Sequence, residues 1–162
     1  MASFDELKTR HRLFTERYPF GRYRVRDNPV ARLRVPLAKA RIALVTTAGL
    51  MLPNDRRFRK LPGIGDSDFR LIPKDADLPT LVEDHTSSAF DHSGIDADRN
   101  LALPLERFHE LAANGTIGEV APRAISFMGS IVSPRRLIKN TAPDAARILL
   151  EDRVDAVFLT PV

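Results

Sequence analysis

Residues 41–49 read Arg-Ile-Ala-Leu-Val-Thr-Thr-Ala-Gly. Ile42 to Val45 form an apolar run without polar alternation, the pattern of a strand covered on both faces in a parallel sheet. Thr46, Thr47, Ala48 and Gly49 then break the run in small residues and lead into a loop. In open α/β sheets the carboxyl ends of such strands face the ligand crevice. One short segment therefore predicts both the fold class and the place to look for a site.

Further along the chain, Phe69-Arg70-Leu71-Ile72 predicts a second strand, stopped by Pro73, and residues 124–128 a third, stopped by Gly129. The last eight residues, Asp155-Ala-Val-Phe-Leu-Thr-Pro-Val162, together with Val154 give a fourth run, read like the first as buried on both faces. Between these lie helices. Pro104 opens one with Leu105, Phe108, Leu111 and Ala112 on a single face and Gly115 past its end. Ser133-Pro134 opens another, and Thr141-Ala142-Pro143-Asp144 a further one, with Thr141 as its cap and Ala145, Ile148 and Leu149 as its buried stripe. Residues 50–66 hold Pro53, Pro62, Gly63 and Gly65 and predict a long irregular excursion.

Strands alternating with helices predict an α/β fold, a Rossmann-like or flavodoxin-like parallel sheet with flanking helices. Four strands are few for a doubly wound sheet, and no helix follows the last to cover it. Residues 41–162 are accordingly expected to be an α/β domain lacking its C-terminal half. Upstream, residues 1–40 read as an N-terminal helix and a basic arm. Phe4, Leu7, His11, Phe14 and Tyr18 recur at helical spacing, and residues 19–36 carry Pro, Gly and Arg with little periodicity.

The 162 residues, 43% hydrophobic and 28% charged, suit one globular domain with a core. Lys and Arg number 25 against 21 Asp and Glu, a mildly basic balance. Arginines concentrate before the first strand, and Arg22, Arg24 and Arg26 alternate with Tyr23 and Phe20, a pattern that can stack and pair with nucleic acid. No complete nucleic-acid motif accompanies them, so a solvated arm covering the domain is the preferred reading. No apolar run reaches the length of a membrane span, and no secretory signal is visible, which predicts a cytoplasmic location with no membrane partner. The absence of cysteine removes disulfides, thiolate nucleophiles and thiolate metal sites from this chain.

Chemistry-bearing candidates follow the strand ends. Thr46 and Thr47 place hydroxyls and backbone amides where an anionic group can sit. The one G-x-G, Gly63-Ile64-Gly65, precedes a strand instead of following one, so dinucleotide binding lacks its fingerprint. Asp84, His85, Asp91, His92, Asp96 and Asp98 include metal-ligand types. Asp96, Asp98 and Asn100 start like a calcium loop, but Leu101 stands where the turn glycine belongs and Arg107 where the bidentate glutamate belongs. These residues read as solvated loop, with no metal site. His85 retains an acid–base capacity near neutral pH. Hydrolase elbows, zinc-protease motifs and phosphate loops are missing.

Five stretches taken together resemble one family: ARIALVTTAGL (40–50), GDSDFRLIP (65–73), DHSGIDADRNLALPLERFHELAANGTIGEVAP (91–122), SFMGSI (126–131) and VDAVFLTPV (154–162). They are similar, in this order, to the glycine/sarcosine/betaine/D-proline reductase selenoprotein B family. In that family the LTPV segment is followed at once by selenocysteine or cysteine and then by a Pro-x-Cys-His stretch. Selenocysteine is encoded by UGA, ordinarily a stop, so the resemblance implies a catalytic residue immediately after Val162 and none within the 162 residues. A selenolate at that strand end would be a strong nucleophile, as activated thiolates are.

The resemblance further implies reductive carbon–nitrogen cleavage of an amino acid or related amine. It implies a pyruvoyl group on a partner subunit and a dithiol or thioredoxin-like electron donor. Carried over by position, it marks Thr46, Thr47, His85, Ser126, Met128, Gly129 and Thr160 as pocket residues. The chain departs from the family pattern at Arg123-Ala124-Ile125, where a histidine-containing stretch is expected. Two other classes stand beside this expectation: a complete non-catalytic module that binds a small ligand or assembles with a partner, and an RNA-associated protein using the basic arm. Nothing in the residues selects among glycine, sarcosine, betaine and D-proline as substrate.

Overall fold

The computed structural model describes Thr9, Arg12, Leu13 and residues 31–59, 64–87 and 92–162. The expected helix over 3–18 and the arginine arm fall almost wholly outside the described residues. The chain divides into units spanning Met1–Arg32 and Leu33–Val162, and the second contains every element below.

At its centre is β1 (Arg41–Thr46), formed by the run that the sequence marks as buried. Along one edge Ile42–Thr46 pairs in parallel with Ala156–Thr160, the whole of β7. The other edge is shared by β5 (Glu119–Val120), opposite Arg41 and Ile42, and β6 (Arg123–Phe127), opposite Val45 and Thr46, both parallel to β1. Ala121-Pro122 separates these two pieces, because Pro122 has no N–H to give to a ladder. Beyond β6 lies β3 (Phe69–Pro73), in the register Phe69–Phe127 to Pro73–Arg123. A separate two-stranded ribbon joins β2 (Leu50–Met51) to β4 (Val82–Glu83).

The α/β architecture is present, with a mixed sheet. β3 runs antiparallel to β6 instead of parallel. A parallel neighbour needs a crossover element to carry the chain back along the sheet. Among the described residues between β1 and β3 there is no helix, so the chain re-enters the sheet at the end where β1 left it.

Among the described residues of this unit, three α-helices flank the sheet: α1 (Ser93–Ala97), α2 (Leu105–Ala113) and α3 (Ala142–Glu151). On one face Ile42, Leu44, Ile72 and Ala124 bury against Leu105, Phe108, Leu111 and Ala112 of α2, as its predicted apolar stripe requires. On the other, Val45, Ile125 and Phe127 bury against Ala145 and Leu149 of α3. Both faces of β1 are therefore covered, which explains its unbroken apolar run.

Two expectations are corrected. Thr141 is not a cap: a π-helical turn, Leu137–Thr141, carries the backbone continuously into α3, so Thr141 has helical dihedrals and makes no capping bond. Nor is β7 buried on both faces, since Val157, Phe158 and Leu159 are 39%, 45% and 67% exposed. Among the described residues, β7 pairs with β1 alone. The Phe158 ring packs against Phe108 of α2 at a ring-centre distance of 5.1 Å.

Candidate active site

The parallel strands β1, β6 and β7 end together. Ser126 is in register with Thr46, and Thr46 with Thr160, so three hydroxyl residues form a row across the carboxyl edge of the sheet. Thr46, fully buried, accepts a hydrogen bond from the Ala48 amide at 3.2 Å and so turns the chain out of the strand. Thr160 donates to the Val45 carbonyl at 3.3 Å. Ser126 is also fully buried, and its hydroxyl has no hydrogen-bond partner among the described residues.

One residue beyond the row, Thr47 clamps the segment that leaves β7. Its amide donates to the Thr160 carbonyl at 3.2 Å. Its hydroxyl accepts from the Val162 amide at 3.0 Å and faces the Val162 carbonyl at 3.4 Å. Val162 is thereby held at the carboxyl ends of β1 and β7.

The loop after β6 closes on the same point. Gly129 adopts φ +71°, and a Cβ there would lie 2.5 Å from the Thr47 carbonyl oxygen and 2.9 Å from Nε2 of His85. Only glycine combines this left-handed backbone with so close an approach. Met128 packs with Met51 and Phe58 and receives the Thr86 hydroxyl at 3.3 Å from its sulfur. His85 itself is placed by the short ribbon: Gly49 donates to the Phe127 carbonyl at 2.8 Å and its own carbonyl accepts from the Asp84 amide at 3.0 Å. That ladder seats residues 84–86 over the strand ends.

Beside His85 stands a second imidazole. Glu83 accepts from the His85 amide with one carboxylate oxygen and meets Nδ1 of His92 with the other. The two rings are 6.3 Å apart, edge to face. The Ser87 amide donates to Nδ1 of His85 at 3.3 Å, which favours the neutral tautomer carrying its proton on Nε2, the nitrogen directed at Gly129. Burial holds the His85 pKa below its ordinary value; Glu83 partly opposes this and the neighbouring His92 adds to it. His92 is held above its ordinary value, chiefly by its bond to Glu83. The two neighbouring imidazoles are thus shifted in opposite directions, His85 toward the neutral form and His92 toward the charged one, an asymmetry suited to proton transfer.

All seven residues named from the sequence therefore gather at one end of the sheet. Thr46, Ser126 and Thr160 form the row, Thr47 holds Val162, Gly129 touches Thr47 and His85, and Met128 lies beneath Thr86. Glu83 and His92 complete the constellation and are not among the seven. The sequence shows His92 only as a ligand-type residue of a solvated loop, and Glu83 bears no local signal that it would join the His85 amide to the His92 ring. Of the remaining acids, Asp91 lies outside the described residues; Asp84 binds Arg57 at 2.6 Å and the Phe58 amide at 2.8 Å, Asp96 binds Arg99, and Asp98 caps Asn100.

The family model for glycine/sarcosine/betaine reductase selenoprotein B matches residues 8–162. The chain belongs to the glycine/sarcosine/betaine reductase selenoprotein B family. Within it, the D-proline reductase subunit gamma of Acetoanaerobium sticklandii is 37% identical over 119 residues, covering 74% of this chain and 47% of that protein. The sarcosine reductase complex component B subunit beta of Peptoclostridium acidaminophilum is 28% identical over 150 residues, 91% of this chain and 33% of that protein. The chain thus spans less than half the length of these curated relatives, which are subunits of multi-subunit reductases. No solved structure matches it. Among the described residues, no helix is long and apolar enough to cross a membrane.

Proposed function

We propose that this chain is the N-terminal scaffold of a selenoprotein B-type reductase subunit that cleaves a carbon–nitrogen bond in an amino acid or related amine. The reading places the redox residue, selenocysteine or cysteine, directly after Val162 in the natural gene product. It places a pyruvoyl group on a partner subunit to hold the amine, and a dithiol or thioredoxin-like protein as electron donor. Supplied there, the selenolate or thiolate provides the nucleophile and the electron pair; the residues of this chain position it and manage protons.

The observation that carries the proposal is the bonding of Val162 to Thr47 at the common end of β1 and β7, beside His85. Thr47 fixes the direction in which the chain leaves β7. Gly129 lets the β6 loop approach the same point without a side chain in the way. His85, its pKa held down by burial, can take the proton of the selenol or thiol and, once charged, pass that proton to the departing amine. The row Ser126–Thr46–Thr160 underlies this point, with Ser126 and Thr46 fully buried.

The test is an assay of the complete gene product with its partner subunits and a dithiol donor, supplied in turn with D-proline, glycine, sarcosine and betaine. Turnover of one of these, lowered roughly 100-fold or more by His85→Gln, is expected of a positioned general acid. No dithiol-dependent cleavage of any of the four would contradict the reading.

A further inference from the structure

A polar cavity of about 730 Å³ opens at the same end of the sheet, walled by the 55–59 loop, the entry to β3 and the π-helical turn. Phe69 on its wall pairs with Phe127, the last residue of β6, so the cavity flanks the site described above without being part of it. Five arginines and four aspartates line it. The near balance of charge is misleading, because the carboxylates are already occupied. Asp66, 1% exposed, accepts from the Arg59 amide at 2.8 Å, from Arg59 Nη2 at 3.1 Å and from the Asp68 amide at 3.0 Å. Asp68 takes Arg59 at 3.0 Å and Arg136 at 2.7 Å. Asp55 accepts from the Leu52 amide, and Asp144 is paired with Arg147.

The guanidinium groups, by contrast, have donors to spare. Each carries five N–H groups in a fork that matches phosphate or carboxylate. Arg136 commits only Nη2, to Asp68, and the Arg56 side chain has no hydrogen bond among the described residues. Arg70 stiffens the wall instead: it bonds the carbonyls of Arg56, Arg57 and Phe69 at 2.8, 3.1 and 3.0 Å and lies 4.2 Å over the Phe58 ring. An independent observation comes from the opposite wall. Thr141 lines the cavity and is 7% exposed, yet its hydroxyl has no hydrogen-bond partner among the described residues. It stands at the end of the π-helical turn, a distortion that recurs at binding sites. A buried hydroxyl is seldom left without a partner.

We propose that this cavity is a binding site for a small oxyanion, a phosphate or carboxylate group, held between Arg56 and Arg136 with the Thr141 hydroxyl as a further donor. The site does not depend on the reductase reading. The test is calorimetric titration of the complete gene product with inorganic phosphate and, separately, with succinate, at constant ionic strength set by chloride. Saturable binding of phosphate alone assigns a phosphate site, and of succinate alone a carboxylate site; either supports the proposal. The Arg56→Gln/Arg136→Gln double variant is expected to weaken that binding roughly tenfold or more, and Arg107→Gln, on the outer surface of α2, to leave it unchanged. Arg56→Gln alone breaks no side-chain bond of the fold, so it keeps the test valid if the double variant unfolds, and it is expected to weaken binding several-fold. No saturable binding of either anion, or binding equal in wild type and Arg56→Gln, overturns the proposal.

Discussion

Gly129 and Gly115 share a left-handed backbone, φ +71° and +77°, but differ in surroundings: a Cβ at Gly115 meets nothing within 4 Å. Gly115→Ala is therefore expected to cost only the backbone term, about 1–2 kcal/mol. Gly129→Ala adds a collision with the Thr47 carbonyl, which cannot swing aside, and is expected to cost more than about 2 kcal/mol. Equal losses for the two variants in denaturant titrations would contradict the close approach. At the same scale, the two imidazoles titrate in opposite senses. His85, with its pKa held down, destabilises the fold as pH falls below its ordinary value of 6.5, because the unfolded chain then binds more protons. His92, with its pKa held up, contributes stability fully below 6.5 and loses it as pH rises through its folded value. NMR titration should show the His85 midpoint below 6.5 and that of His92 above. Glu83→Gln should move both downward, since Glu83 raises both; coincident midpoints would refute the arrangement. Thr46 and Thr47 were legible in the sequence because small hydroxyl residues directly after a buried run mark a strand end. Glu83 was not, because its contact with His92, nine positions on, arises only once the β2–β4 ribbon has placed Glu83.

Strands and helices were legible wherever a local pattern dictates them. β1, β3, β6, β7, α2 and α3 all stand within a residue or two of the runs and prolines that announced them. Strand direction was not, because it is set by the route of the 50–66 excursion and not by the composition of β3. The cover over β7 was equally hidden. β1 and β7 read alike as apolar runs, yet β1 has a neighbour on each edge and a packed layer on each face, whereas β7 has one neighbour. An apolar run reports the surroundings a strand is suited to, not those it has within a given chain. The difference is measurable: Leu44→Ala is expected to cost about 2–5 kcal/mol as a fully buried leucine. Leu159→Lys, at a position 67% exposed, should change the stability of the 162-residue chain by no more than about 0.5 kcal/mol. A large loss from Leu159→Lys would mean that β7 is covered already.

At the scale of the whole molecule, the sheet gathers the carboxyl ends of three parallel strands, and the loops after β1 and β6 close around the point where Val162 is bound. The selenoprotein B relatives extend well beyond the portion matched here. The central claim is that Thr47 and the end of β7 present an electron-carrying residue to this crevice. The most direct test is mass spectrometry of the reduced, iodoacetamide-treated natural gene product, sequencing the peptide that contains Leu159-Thr160-Pro161-Val162. The account predicts an alkylated selenocysteine, with its selenium isotope pattern, or an alkylated cysteine, as the next residue. A natural product whose peptide ends at Val162, or continues with a residue that carries neither selenium nor sulfur, would contradict it.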